Sequence, residues 1–462
     1  MLFPTFDYFV FLPLVAVVHH VLRERGLRAG WLTVTSLVFY AAWNALDTFL
    51  LLAVIAASWG AGRLVERTRS PLTLGLVVVG LLSPMAYYKY LHFVAENLQL
   101  LIPALPVPPR AHLPIGISFY SFQAVAYVVD VHRGQPAERN PVRFSTFLLF
   151  FPHLVAGPIL RASTLLAQLD SDRFVSREDV GYAIARLGTG LVKKLLIADI
   201  LRIGIVDSVF TDPGRFTGLE VMIALYAYTL QIYCDFSGYT DFAIGSARLF
   251  GFRIPENFDR PYQALSVASY WRRWHITLSD WVRDYVYYPL GGSRGGGLAP
   301  YRNTFLTLLI LGVWHGANWT FVVYGLLHGC AVSLNRWWRK SGPGQHERPL
   351  DAWGWAWRFL ATFHFVVLAR ILFRSEDLGH AGTVTLALLD TTPALPRFST
   401  HATLVLVLGY AVHFTPKGWR AYATQRFQGL PAVAWGVALA LLGWACVTWG
   451  PGDSLAFIYH DF

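Results

Sequence analysis

The chain has 462 residues, of which 55% are hydrophobic and only 14% charged, with a mean hydropathy of +0.42. Soluble domains carry about 25% charged residues, so a soluble protein of two or three domains is excluded in favour of an all-α chain that crosses a bilayer several times. The excess of 38 Lys and Arg over 28 Asp and Glu falls in short basic clusters between apolar runs. That is the positive-inside pattern of cytosolic loops, not a nucleic-acid-binding stripe.

Residues 2–22 form the first apolar run, followed by Arg23, Arg25 and Arg28. Asp7 stands where a cleavable signal peptide would carry basic residues, so this run reads as a retained span with its N-terminus outside. Residues 31–62 lie between two basic clusters, and two short helices turning near Asn44–Asp47 satisfy that constraint better than one overlong helix. Residues 72–90 lead outward to a proline-rich loop at 103–114, and 113–130 return to a basic loop holding Arg133, Arg139 and Arg143. Residues 147–163 are apolar but contain Pro152, Gly157 and Pro158. Backbone broken at membrane depth is tolerated only when covered by protein or facing a cavity, so this stretch reads as re-entrant or kinked. Residues 164–180 are polar and interfacial.

Two longer helical stretches, 181–210 and 219–250, contain Lys193, Lys194, Asp199, Asp235, Asp241 and Arg248. Charges in such helices turn toward a bundle interior, and structural ion pairing is the expected use for most of them. Residues 251–302 are the least apolar part, with seven arginines against four acids, and read as a cytosolic or interfacial element. Further spans follow near 352–373, 403–414 and 432–449. The total is roughly ten to twelve spans in a single domain covering 1–462. Cys234, Cys330 and Cys446 are far apart in apolar surroundings and suit packing, with no metal-ligand spacing.

Residues 303–328 read as one apolar run with His315 at its middle. As a helix it would extend roughly 39 Å, enough to cross a bilayer. An imidazole at that depth is either a hydrogen-bonded core residue or a functional one. Gly312 and Gly316 have the spacing that admits a second backbone, and Asn318 lies one turn on. Desolvation favours a neutral imidazole, the form a general base needs. The stretch 270–292 reads as an amphipathic helix on which His275 and Ser279 share a face, with Arg272 and Arg273 a turn earlier and tryptophans suited to an interfacial belt. The sequence holds no G-x-S-x-G elbow, Walker loop or H-E-x-x-H, so serine hydrolases, ATP-driven pumps and zinc proteases have no positive support.

WRRWHITLSDWVRDYVYYPLGG (271–292) and LGVWHGANWTFVVYGLLHG (311–329) resemble motifs of the membrane-bound O-acyltransferases, most closely the bacterial alginate O-acetyltransferase subgroup. LPIGISFYSFQ, FFPHLVAGPILR, QIYCDFSGYTDFAIG and the terminal FIYHDF extend the resemblance over nearly the whole chain. It implies a helical bundle with re-entrant elements and a funnel from each face. It further implies His315 as the catalytic histidine and His275 as the second motif histidine, with Asn318 and Trp314 beside the active-site motif. The glutamine usual in the FFPQ-type motif is here His153, and the usual FIYFQF-type tail reads FIYHDF.

The resemblance implies a multi-pass protein of the bacterial inner membrane that moves an acetyl group from cytosolic acetyl-CoA, used as a substrate with no bound cofactor or metal, to a periplasmic acceptor. His315 serves as general base or brief acyl carrier. His275, Arg272 and Arg273 line the donor side, where the arginines meet the acidic groups of CoA, and Asn318, Trp314, Ser279 and His153 are the further candidates for binding donor or substrate. The expected partner is a periplasmic acetyltransferase- or esterase-like protein that modifies an exopolysaccharide or cell-wall polymer. The competing expectations are D-alanyl transfer to teichoic acid from a carrier protein's phosphopantetheine, and a transporter or flippase with His315 in a proton relay.

Overall fold

A computed structural model describes residues 3, 5–171, 174–341, 351–393 and 395–451; Asp172, Arg173 and the terminal FIYHDF lie outside the described residues. Among these residues every regular element is helical, and the only strand-like pairing is an isolated antiparallel bridge between Phe258 and Trp274. Four helices among the described residues are long and apolar enough to cross a membrane: Ala45–Thr68, Pro71–Gln99, Ala352–Arg374 and Ala432–Trp449; Phe6–Val21 and Thr400–His413 are shorter apolar helices. The fold is that of an all-α polytopic membrane protein.

The chain divides into two compact units. The first comprises Met1–Thr189, Tyr239–Glu256 and Thr424–Trp435; the second comprises Gly190–Gly238, Asn257–Ala423 and Gly436–Phe462.

In the first unit the expected turn at Asn44 is present, between helices Arg25–Ala41 and Ala45–Thr68. The Asn44 carboxamide oxygen accepts from the amides of Leu46 and Asp47 at 2.9 and 3.4 Å, which satisfies two donors that a helix start otherwise leaves open. The stretch around Pro152 is broken as expected. Pro141–Leu149 ends, Phe151–Leu154 makes one turn, and the next helix begins at Ala162. A Cβ on Gly157 would sit 2.5 Å from the His153 Cα, so only glycine allows the chain to fold back over that turn. Arg186 is paired with Asp241 at 2.7 Å and Arg248 with Asp179 at 2.9 Å.

In the second unit Lys194 stands between Asp199 and Asp235 at 2.9 and 2.7 Å, all three buried. Lys194, Asp199, Asp235, Asp241 and Arg248 are therefore in structural pairs, and removing one partner of such a buried set costs about 3–5 kcal/mol.

The run 303–328 is not a single helix. Ala299–His315 ends at His315, Gly316 is extended, and Trp319–Ser341 begins a second helix that packs back on the first. The return requires near-contact of backbones: a Cβ on Gly312 would meet Phe321 O at 2.5 Å and Gly325 Cα at 2.6 Å. Gly312 thus takes the small-residue role that its spacing predicts, whereas the space at Gly316 is filled by the Phe321 ring, 2.2 Å from where a Cβ would lie.

Candidate active site

The second histidine motif also departs from one continuous helix. Val267–Trp271 ends, and His275 takes a left-handed conformation (φ 44°) before Ile276–Val282 begins. His275 and Ser279 therefore do not share a helix face in the manner expected. A non-glycine residue in that region costs about 1–3 kcal/mol and persists only where its surroundings hold it. Here they do. Asp259 N–H donates to Arg273 O at 3.0 Å, Ile276 N–H to Asn257 O at 2.9 Å, and the Thr277 hydroxyl to Asn257 Oδ1 at 2.8 Å. The Ser279 hydroxyl donates back to Trp271 O at 2.8 Å, so this side chain fastens the turn.

The turn presents His275 as a fully buried ring, 4.6 Å from Phe236 and 6.3 Å from Trp314. Trp314 also lies 5.0 Å from His315, so one indole stands against both motif histidines. His315 is the last residue of its helix and is buried against Phe373 at 5.1 Å, Tyr324 at 6.2 Å and Phe321 at 6.3 Å. Asn318 caps the returning helix by accepting from Thr320 N–H at 2.9 Å, and its amide group donates to Glu376 O. The break after His315 is thereby tied to the end of the helix that supplies Phe373.

Arg272 lines a cavity of about 630 Å³ together with Asn335, Arg339, Arg358, Trp357 and Phe365, with no acidic residue in its lining. Arg273 is partly exposed and outside that lining. His153 belongs to the first unit, where Gln123 donates to its Nδ1 at 3.2 Å and its Nε2–H donates to Phe147 O at 3.1 Å. Among the described residues no group of three His, Cys, Asp or Glu side chains suits a metal ion.

The sequence matches the model of the membrane-bound O-acyltransferase family over residues 29–373, which includes both histidine motifs. The chain belongs to that family. A probable alginate O-acetylase of Azotobacter vinelandii is 40% identical over 385 residues, covering 81% of this chain and 74% of that protein. A peptidoglycan O-acetyltransferase of Helicobacter pylori is 33% identical, covering 76% and 72%. A teichoic acid D-alanyltransferase of Bacillus subtilis is 27% identical, covering 60% and 74%. The protein is thus a multi-pass membrane O-acyltransferase.

Sequence reasoning singles out His315, His275 and Trp314, and the structure brings them together around one indole. It does not find Arg339 and Arg358, which complete the cavity beside Arg272, or Arg370, which is buried in the same unit.

Proposed function

We propose that this protein transfers an acetyl group from cytosolic acetyl-CoA across the inner membrane to a hydroxyl acceptor, in the O-acetylation of an alginate-like exopolysaccharide or a cell-wall polymer. The observation that carries this reading is His315, placed at a helix end and enclosed by Trp314, Phe321, Tyr324 and Phe373. In this reading the imidazole takes the proton of the acceptor hydroxyl as its oxygen attacks the thioester carbonyl carbon. The C–S bond breaks, and the leaving thiolate recovers the proton. The negative end of the helix dipole offsets the positive charge that the ring acquires during transfer, and the apolar rings exclude the water that would hydrolyse the thioester.

The acid-free cavity bearing Arg272, Arg339 and Arg358 is suited to the phosphates of the donor, since guanidinium groups bind phosphate through paired hydrogen bonds. Relatives named for alginate acetylation share about 40% identity with this chain, against 27% for those named for D-alanyl transfer, which favours acetyl as the group moved. An acetyltransferase- or esterase-like protein on the periplasmic side would deliver the group to the polymer.

The test uses full-length protein in vesicles supplied with labelled acetyl-CoA and an oligosaccharide acceptor. His315→Ala is expected to lower transfer by about 10²–10⁴-fold, the usual worth of a positioned acid–base group. Wild-type transfer by that variant overturns the role of His315. Label transferred only from a D-alanyl carrier overturns the acetyl reading, and loss of substrate movement in vesicles without any acyl donor identifies a transporter. Mass spectrometry of surface polymer from wild-type and variant cells reports which ester disappears.

A further inference from the structure

His328 is a third histidine of the second unit, and the transfer step above does not use it. It lies on Trp319–Ser341 with 1% of its surface exposed, among the rings of Tyr324 at 4.4 Å, Phe365 at 5.1 Å and Trp271 at 5.3 Å. One contact fixes its protonation. The indole N–H of Trp271 donates to His328 Nδ1 at 3.2 Å. An indole nitrogen only donates, so Nδ1 carries a lone pair, and the ring is the neutral tautomer with its proton on Nε2. That N–H is buried and meets no acceptor among the described residues.

The surroundings add positive charge without an anion to match. Arg370 is also 1% exposed; it donates to the Tyr270 hydroxyl at 2.8 Å and lies 4.7 Å over Trp274 and 5.3 Å over Phe373. Its Nε is buried without an acceptor, and no carboxylate pairs with it among the described residues. Tyr270, the partner of Arg370, stacks 6.5 Å from His328. Two donor groups in one cluster thus lack acceptors. Burying such donors is costly unless a ligand supplies an oxygen.

We propose that His328 binds the acyl donor, its Nε2–H donating to a carbonyl oxygen of a phosphopantetheine thioester arm, with Arg370 adding a positive field that favours the same oxygen. This inference rests on the donor reading above and deepens it. What selects the donor over the acceptor is position. Phe365, packed against His328, also lines the arginine cavity, and Trp271 is followed directly by Arg272 of that lining. A ligand with phosphates at one end and amide and thioester carbonyls along its arm matches arginines at the cavity and an N–H donor behind its wall.

The experiment measures binding and steady-state kinetics of full-length protein in detergent, with acetyl-CoA and, separately, an acetylated phosphopantetheine carrier protein as probes. His328→Phe is expected to raise the Kd and KM for the donor by about tenfold, the worth of one hydrogen bond, with the acceptor KM unchanged, while the Trp271 N–H that it strands lowers the thermal midpoint. His328→Gln, which retains an N–H donor, recovers part of that affinity. Trp271→Phe frees the tautomer and weakens donor binding in the same direction. The same dependence with the carrier and not with acetyl-CoA supports the inference and assigns the carrier as the source of the arm. Donor affinity unchanged in His328→Phe, or a loss shared by donor and acceptor, overturns it. Wild-type protein that binds neither donor overturns the donor reading itself, and this inference with it.

Discussion

His153 and His328 are both buried histidines flanked by aromatic rings, and both have Nδ1 occupied by a donor, Gln123 in one case and Trp271 in the other. They differ at Nε2. The His153 N–H donates to Phe147 O, so every polar atom of that ring is used within its own unit, across the folded-back segment that Gly157 makes possible. The His328 N–H meets no protein acceptor among the described residues. Burial and ring contacts alone therefore do not separate a structural histidine from a ligand-facing one. The second nitrogen does, because a buried N–H without an acceptor is retained only where something else supplies one.

The comparison is sharpened most by His315. His315→Ala should reduce the transfer rate per folded molecule by about 10²–10⁴-fold, whatever the cavity left by its buried ring costs in stability. His153→Leu should do the opposite. It strands Gln123 Nε2 and Phe147 O in a buried site, at about 1–3 kcal/mol for each group left unsatisfied. The expected result is a lowered midpoint and less protein in the membrane, with the rate per folded molecule retained. A large rate loss in His153→Leu at normal stability would erase the distinction between the two rings. Gly312→Ala tests the hairpin itself. Its Cβ has no room against Phe321 O and Gly325 Cα, and overpacking of this kind costs about 1–3 kcal/mol. Thermal unfolding should show that loss, with a fall in rate as His315 shifts relative to Phe373.

Much of this was legible in the sequence for identifiable reasons. The turn at Asn44 was, because a capping side chain sits between two apolar runs with basic flanks. The broken element at 150–161 was, because Pro152, Gly157 and Pro158 cannot continue a helix. The pairing of Lys194 and Asp241 with opposite charges followed from the cost of leaving them alone in an apolar stretch. The breaks at His275 and Gly316 were not legible in the same way. His275 is left-handed with no glycine or proline beside it, held there by Asn257 and Ser279 from outside its own turn. Residues 303–328 match the length of a membrane crossing, and hydropathy alone does not tell one long helix from two halves folded together. The cluster of His328 with Trp271, and of Arg370 with Tyr270, joins residues 57 and 100 positions apart, and periodicity carries no information on such pairs.

The smallest effect is expected at Asn318, whose two ends do different work. Its Oδ1 caps Trp319–Ser341 through Thr320 N–H, and its amide group donates to Glu376 O just past the helix that carries Phe373. Asn318→Ala removes both contacts and should cost about 1 kcal/mol, the usual loss of an N-cap. Asn318→Asp keeps the cap acceptor, since a carboxylate oxygen accepts from Thr320 N–H as well as a carboxamide does, but it cannot donate to Glu376 O. Stability should then stay near wild type, while the wall beside His315 loosens. One hydrogen bond of about 0.5–1.5 kcal/mol corresponds to roughly a 2- to 10-fold fall in rate if the lost contact is expressed at the transition state. Thermal unfolding and transfer rates measured on the two variants separate these uses: a wild-type rate in Asn318→Asp would show that the residue only starts a helix, and a reduced rate at full stability would make it a positioning residue for the His315 site.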